Sequence, residues 1–371
     1  MTKRTAEQLL EKLVGYETVV GTSNMGLMGF IANYLEQLGA RVHLLVGPEG
    51  DRANLFATIG DPDLPGYVLS GHVDVVPAAE PEWLDDPFGL RPVRDRLIGR
   101  GACDMKGFDA AVLSAVPELM AMDLSVPIHI ALSYDEEAGC RGVPHMIAKL
   151  PELCAPPLGC IVGEPTGLRP VLAHKGKAAL QLTSKGVPGH SSRPDLGQNA
   201  IHALLAPLNA AVAQAKALTD GPQDSRFAPP YSTLQIGTLS GGQAVNIIPD
   251  QAQATLEARA IAGVDPRTLF DPVLAAMGDE TQATWMSTYP AMALEADAPL
   301  AKLIAQLSGQ TPVQAVSFGT EAGLFQKAGI PSVICGPGDI ARAHRPEEYL
   351  TRAELEATRQ MILRLGRYLA R

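Results

Sequence analysis

Apolar residues recur at helical spacing over residues 5–13 and 27–38, and the second run stops at Gly39, a common helix end. Residues 41–46 and 54–59 then read as strands. Short apolar runs at 67–70, 127–133, 159–162 and 331–335 predict further strands, and helix-like stretches at 108–122, 322–328 and 353–370 fall between or after them. This alternation predicts an α/β fold in which helices cover a central sheet.

The middle of the chain changes period. Residues 177–185 (KAALQLTSK), 232–239 (STLQIGTL) and 253–261 (QATLEARAI) alternate, at least in part, between apolar and polar positions. Such alternation predicts a half-exposed antiparallel sheet, with residues 198–215 as the helix over its apolar face. An inserted α+β domain is therefore expected at 175–284, leaving 1–174 and 285–371 to form the other domain. The length of 371 residues suits two domains at about 100–200 residues each. Arg226-Phe227-Ala228-Pro229-Pro230 predicts a surface loop, because paired prolines continue neither a helix nor a central strand.

Composition narrows the function classes. The formal net charge is −10, with no run of like charges and no basic cluster, which argues against nucleic acid or an anionic membrane as partner. No run of about 18 apolar residues occurs, and charges precede any apolar stretch at the start, so an unexported, cytoplasmic protein is expected. Cysteines 103, 140, 154, 160 and 335 are scattered and never spaced Cys-x-x-Cys, a pattern that fits reduced thiols. Leu239-Ser240-Gly241-Gly242-Gln243 spells the signature of ATP-binding-cassette proteins, yet no Gly-x-x-x-x-Gly-Lys-Ser/Thr phosphate loop accompanies it. It reads more simply as a turn between strands. Neither Gly-x-Ser-x-Gly nor Gly-x-Gly-x-x-Gly occurs, so serine-hydrolase and dinucleotide readings lack their anchors.

The candidate chemistry follows the predicted core strands. His72 and Asp74 come after the run 67–70, Asp135, Glu136 and Glu137 after 127–133, Glu164 after 159–162, and His344, beyond a Gly-Pro-Gly loop, after 331–335. On an extended segment His72 and Asp74 point to one side, as a metal ligand and its orienting carboxylate would. In open α/β sheets, sites form outside the carboxyl ends of the strands. With Asp104 included, five segments converge on one edge, and so many carboxylates repel one another unless cations sit among them. Two histidines with several carboxylates suit zinc or a similar divalent ion, and one shared carboxylate can bridge two ions about 3.5–4 Å apart.

The motifs GHVDVVP, GRGACDMKG, SYDEEAG, GEPT and AHRPEEY, in this order, resemble the metal-site motifs of the M20 metallopeptidases. These are co-catalytic zinc amidohydrolases that include acetylornithine deacetylase, succinyl-diaminopimelate desuccinylase and the aminoacylases. The resemblance spans nearly the whole chain, and SFGTEAGLFQKAGIPSVICGPGDIARAHRPEEYL is most similar to the acetylornithine deacetylases. It implies a zinc-aminopeptidase-like catalytic domain, a central mixed sheet with helices on both faces, and an inserted α+β lid and dimerisation domain.

Residue by residue, the resemblance implies two Zn²⁺ ions, replaceable by Co²⁺, with Asp104 bridging them. His72 and Glu164 would complete one site, and Glu137 and His344 the other. Asp74 would orient His72, and Glu136 would be the general acid/base. The sequence itself does not separate Glu136 from its neighbour Glu137. His190 in Gly189-His190-Ser191-Ser192 matches the lid histidine, which in dimeric members reaches the partner subunit's site. Asn246 and Arg259 match positions that contact the substrate carboxylate, and Glu321 is the candidate partner for a substrate ammonium. Gly323 departs from the Thr-Glu-Ala-Pro common in the acetylornithine enzymes and changes the start of the following helix. The implied function is hydrolysis of an N-acyl amino acid, N-acetyl-L-ornithine first, by a homodimer. Desuccinylase, broad acylase and dipeptidase activities are alternatives within the family, and a non-catalytic ligand-binding relative is the alternative outside it.

Overall fold

The computed structural model describes residues 3–370. Two compact units share the chain. One runs to Ala173 and resumes over Ala293–Gln314 and from Thr320 onward; the other comprises His174–Met292 and Ala315–Gly319.

In the first unit, six strands form one sheet in the order Arg41–Val46, Ala53–Ile59, Ile128–Ser133, Tyr67–His72, Gly159–Pro165, Ser332–Gly336. The first two strands pair antiparallel, and the second is antiparallel to Ile128–Ser133. The last four run parallel to one another. Their interior residues are buried and almost wholly apolar, as strands covered on both faces must be.

Helix Lys106–Leu119 lies against one face with unusual closeness. A Cβ at Gly163 would meet the Phe108 ring at 2.0 Å, and one at Gly71 would meet Asp109 at 2.1 Å. Glycine at both positions therefore lets the helix, and the loop before it that carries Asp104, press onto the sheet. Helices Ala6–Val14 and Arg352–Leu369 pack beside it. Each begins with a reciprocal capping box, Thr5 with Gln8 and Thr351 with Glu354, which satisfies amides that a helix start leaves open. Ser70 points to the face opposite Gly71, and there the helix Ala322–Lys327 brings Glu321. Helices thus cover both faces.

The second unit is a four-stranded antiparallel sheet in the order Thr233–Gly241, Gln251–Ala260, Gly176–Lys185, Thr281–Tyr289. Burial along Gly176–Lys185 alternates residue by residue, so Ala178, Leu180 and Leu182 face the core while Lys177, Ala179 and Gln181 are less covered. Leu204, Leu208 and Ala211 of helix Ala200–Ala217 meet that inner face. The sheet extends further than the sequence suggests. Thr281–Tyr289 pairs along most of Gly176–Lys185, so the unit continues past residue 284. The helix Pro299–Ser308 and the short strands Arg91–Val93, Arg96–Ile98 and Tyr349–Thr351 were also unread in the sequence. All five cysteines are free.

His129, on a central strand of the first sheet, is fully buried against Phe56 and bonds Thr58 Oγ1 through Nδ1 at 3.0 Å. Its Nε2 has no partner, and burial pushes the imidazole down to about 4. An unfolded histidine takes its proton near pH 6.5, so between pH 6.5 and 4 the unfolded chain binds more protons and stability falls as pH falls. The contribution is complete above pH 6.5. Relative to a His129→Gln variant, the wild type should lose about 2 kcal/mol of stability between pH 7 and pH 5. Urea unfolding of both at the two pH values measures this; an unchanged difference rejects it.

Candidate metal centre

The four parallel strands end at one edge, and the sequence-predicted residues gather there. His72 is the last residue of its strand. Its Nδ1 lies 2.9 Å from the Asp74 main-chain carbonyl, which assigns the N–H to Nδ1 and leaves Nε2 free to act as a ligand. Nε2 faces Asp104 Oδ1 at 3.2 Å and Glu164 Oε1 at 3.8 Å. The other oxygen of Asp104 lies 3.4 Å from His344 Nε2, which is itself 3.0 Å from Glu137 Oε1. One carboxylate therefore faces two imidazoles, one oxygen to each. His72, Asp104, Glu136 and Glu164 are buried, whereas the His344 side chain keeps 49% of its surface exposed.

Asp74 does something different from the expected orientation of His72. Its carboxylate stands 3.6 Å from the imidazole, but it accepts the main-chain N–H groups of Glu136 and Glu137, each at 3.1 Å. The residue before them, Asp135, has a left-handed φ of 52° and is held by the Gly21 N–H at 2.7 Å and by Arg52. The turn that presents the adjacent glutamates is fixed from both sides. Donor atoms of His72, Glu136 and Glu164 lie within 4.8 Å of one another, and so do those of His72, Asp104 and Glu137.

Electrostatics shows what the cluster needs. Burial pushes the Glu136 carboxyl up to about 8, against the pull of His72 and with help from the Glu137 and Asp74 charges. Burial likewise raises Asp74 to about 6 and lifts Glu164 well above the carboxylate range, where the Asp104 charge adds to the effect. Asp104 is instead held below that range: burial opposes its charge, but hydrogen bonds from His344 and His72 outweigh it. Hydrogen bonds to Asp104 and Glu137 raise His344 to about 10. His72 also rises, because Asp104 and the charges of Asp74 and Glu164 overcome its burial. Without cations, the cluster relieves its repulsion only by holding protons. Nitrogen and oxygen donors around a central carboxylate fit two divalent ions, which would take the place of those protons.

Glu321 is not open to a ligand. It is buried, and its two oxygens are taken by the hydroxyls of Ser70 and Ser133, residues on the two strands that lead to His72 and Glu136. The geometry gives this carboxylate the job of joining those strand ends, and the expected contact with a substrate ammonium loses its support. Two residues that the sequence reading passed over also stand here: Glu348 accepts the main-chain N–H groups of Cys103 and Asp104, and Arg100 pairs with Glu348. The adjacent acids Glu347 and Glu348 in AHRPEEY were the visible signal, with nothing to say which of them turns inward.

The second unit separates its candidates into two groups. His190 and Ile247 form a β-bridge, and the Ser191 N–H donates to the Asn246 carbonyl at 3.1 Å, so His190 and Asn246 are neighbours. The Ser192 N–H donates to His190 Nδ1 at 3.2 Å, which leaves Nε2–H as an exposed donor. Arg259 stands elsewhere, in a cavity of about 340 Å³ with Lys175, Arg226, Phe227 and Ser317. It is braced by Glu257 at 2.8 Å and the Tyr289 hydroxyl at 3.2 Å.

A mixed sheet with such a donor set at its parallel edge is the framework of a metal-dependent hydrolase. The sequence pattern of peptidase family M20/M25/M40 matches residues 68–367, and the chain belongs to that family of metallohydrolases. It is 33% identical over 353 residues to the acetylornithine deacetylase of Proteus mirabilis (strain HI4320), covering 92% of this chain and 89% of that one. The acetylornithine deacetylase of Photorhabdus laumondii is 31% identical over 374 residues, 96% and 95% of the two chains. Among solved structures, the M20 metallo-carboxypeptidase Sso-CP2 of Sulfolobus solfataricus superimposes with a TM-score of 0.76 at 19% identity, over 97% of this chain and 98% of that one. The YXEP protein of Bacillus subtilis, a dinuclear metal-binding M20 peptidase, gives 0.63 at 17% identity, over 97% of each chain.

Because His344 holds its proton up to about pH 10 in the metal-free protein, metal must displace that proton, and His72 adds another. Affinity should therefore rise with pH, about tenfold per unit for each proton displaced. Titration of metal-free protein with Zn²⁺ in weak buffer containing a pH indicator should register proton release at pH 7. Binding without release, with affinity flat from pH 6 to 8, rejects it.

Proposed function

We propose that the chain is a two-metal amidohydrolase that removes the acyl group from an N-acyl amino acid, with N-acetyl-L-ornithine as the preferred substrate. The observation that carries the reading is Asp104, whose two oxygens face one imidazole each, at 3.2 and 3.4 Å. His72 and Glu164 would hold one ion, Glu137 and His344 the other, and Asp104 both. Zn²⁺ suits these donors and Co²⁺ can replace it. When bound, the ions supply Lewis acidity to the acyl carbonyl and lower the pKa of water nearby.

Glu136 supplies the proton traffic. Burial favours the protonated form of this carboxyl, and once ions replace the cluster's protons its carboxylate would take a proton from an attacking water and return it to the departing amine. Cys140 Sγ, 3.2 Å from Oε1, donates to this carboxylate and steadies it. The tautomer of His190, with Nε2–H directed outward, suits a donor to the developing oxyanion. Arg259 suits the substrate carboxylate. The choice of acetylornithine rests on the relatives at 31–33% identity, since Glu321 gives no free charge for the ornithine ammonium.

The spacing of these residues supports sharing between two copies. Arg259 pairs with Lys177 near one end of the second unit's sheet, whereas Gln251 pairs with Lys185 at the other, and the His190–Asn246 pair lies beyond that second end. Eight residue steps of strand at about 3.4 Å each separate these ends by about 27 Å, further than one N-acyl amino acid reaches. If all three residues touch one substrate, they come from two chains. Thr233–Gly241 supports a homodimer: it is an edge strand with mostly exposed residues, and Leu205 and Val212 of the neighbouring helix are half exposed.

Released amine should be measured with acetylornithine, succinyl-diaminopimelate, acetyl derivatives of apolar amino acids and a dipeptide, with and without a chelator. Acetylornithine should give the highest kcat/KM, and the activity should vanish with chelator and return with Zn²⁺ or Co²⁺; a dipeptide preference or full turnover in metal-free protein rejects the reading. Glu136→Gln should lower kcat by roughly 10²–10⁴ with both metals retained, while Glu137→Gln should lower metal content. The reverse pattern in metal analysis would exchange their roles. Inactive His190→Ala and Glu136→Gln chains, mixed into hybrid dimers, should recover part of the activity, because one hybrid site keeps both groups. No recovery in verified hybrids removes His190 from the partner's site.

A further inference from the structure

Glu348 lies four residues beyond His344, is 1% exposed, and divides its two oxygens between different tasks. Oε1 accepts the main-chain N–H groups of Cys103 at 2.9 Å and Asp104 at 3.0 Å. Oε2 pairs with Arg100 Nη1 at 2.8 Å, and the main-chain carbonyl of Glu348 accepts the Gly99 N–H at 2.9 Å. Arg100 is equally buried. Its other terminal nitrogen reaches the Pro77 carbonyl and Glu80, each at 3.2 Å, and its guanidinium lies over the Trp83 ring at 5.2 Å. One buried ion pair therefore joins the segment after His72, the loop that carries Asp104, and the segment that carries His344.

We infer that Glu348 is a positioning residue for the metal centre, and that Arg100 is the counter-charge that allows it to be buried there. The Asp104 carboxylate is useful only if each oxygen keeps its own imidazole, which demands a fixed main chain beneath it. Asp104 sits in a turn between the short strand Arg96–Ile98 and the helix beginning at Lys106, outside the hydrogen-bond ladders of either. Its amide and that of Cys103 point out of the turn, and Glu348 is what receives them. Asp74 treats the Glu136 and Glu137 amides the same way across the centre. Each half of the donor set thus rests on a carboxylate that accepts two consecutive main-chain N–H groups.

A purely stabilising role explains this arrangement poorly. Buried ion pairs often contribute little net stability, because desolvation offsets their attraction. Partners behind metal ligands, by contrast, typically govern affinity by 10–100-fold.

The inference rests on the two-metal reading, so its test must separate the two. Full-length wild type, Glu348→Gln and Glu348→Asp should be compared by Zn²⁺ dissociation constants from chelator competition and by the visible absorption spectrum of the Co²⁺-loaded protein, together with circular dichroism and melting. Gln keeps the size but sets an NH₂ group against either the two amides or Arg100. Asp keeps the charge opposite Arg100 but is one methylene shorter toward the amides, so it remains informative if Gln fails to fold. Each folded variant should bind Zn²⁺ about 10–100-fold more weakly, with an altered Co²⁺ spectrum. A lower melting temperature with unchanged affinity and spectrum overturns the positioning role. A wild type that binds neither ion overturns the two-metal reading itself.

Discussion

Mutual repulsion among Asp74, Asp104, Glu136, Glu137 and Glu164 is the constraint around which the first unit is built. The carboxyl ends of parallel strands and the loop that carries Asp104 bring them within a few ångströms of two imidazoles, with most of the set buried. Left alone, such a set takes up protons: Glu136, Asp74 and Glu164 rise, and His72 and His344 hold theirs beyond the usual imidazole range. A group that must be protonated in the absence of cations is a group ready to exchange protons for them. The metallohydrolase family to which the chain belongs and the electrostatics of its sheet edge make the same demand.

Holding this geometry is the work of carboxylates that take no part in the donor set. Asp74 fixes the Glu136–Glu137 turn, Glu348 receives the amides of the Asp104 loop, and Glu321 joins Ser70 to Ser133 just before His72 and Glu136 emerge. Each spans elements distant in sequence. The negative charge of this small site is therefore divided between groups aimed at the centre and groups aimed at the main chain. Glycines 71 and 163 complete the framework by letting the helix Lys106–Leu119 approach, which carries the Asp104 loop inward.

The second unit follows a simpler physics. Its strands bury one face against a single helix and leave the other partly open, which is the arrangement expected of an antiparallel sheet with one covered face. Its functional candidates gather at opposite ends of the strand Gln251–Ala260, and the exposed edge strand Thr233–Gly241 keeps its outer hydrogen-bonding groups available.

The sequence by itself marked most of the elements and the candidate residues of the site. Periodicity found the six strands of the first sheet, the inner ones because a strand covered on both faces has to be continuously apolar, and it found three of the four strands of the second unit for the converse reason. Strand ends followed by His72, Asp74, Glu136, Glu137, Glu164 and His344 were legible because chemistry in open sheets collects where strands stop. Register and partner choice were not. Whether Asp74 turns to its imidazole or to two amides, whether Glu347 or Glu348 faces inward, and whether Glu321 meets a ligand or two serines depend on contacts 62 to 251 residues apart along the chain. Such contacts leave no local periodicity, since a side chain's hydrogen-bond partners are set by the elements that folding brings against it. Only the tertiary structure decided which carboxylates hold charge toward the centre and which hold the main chain in place.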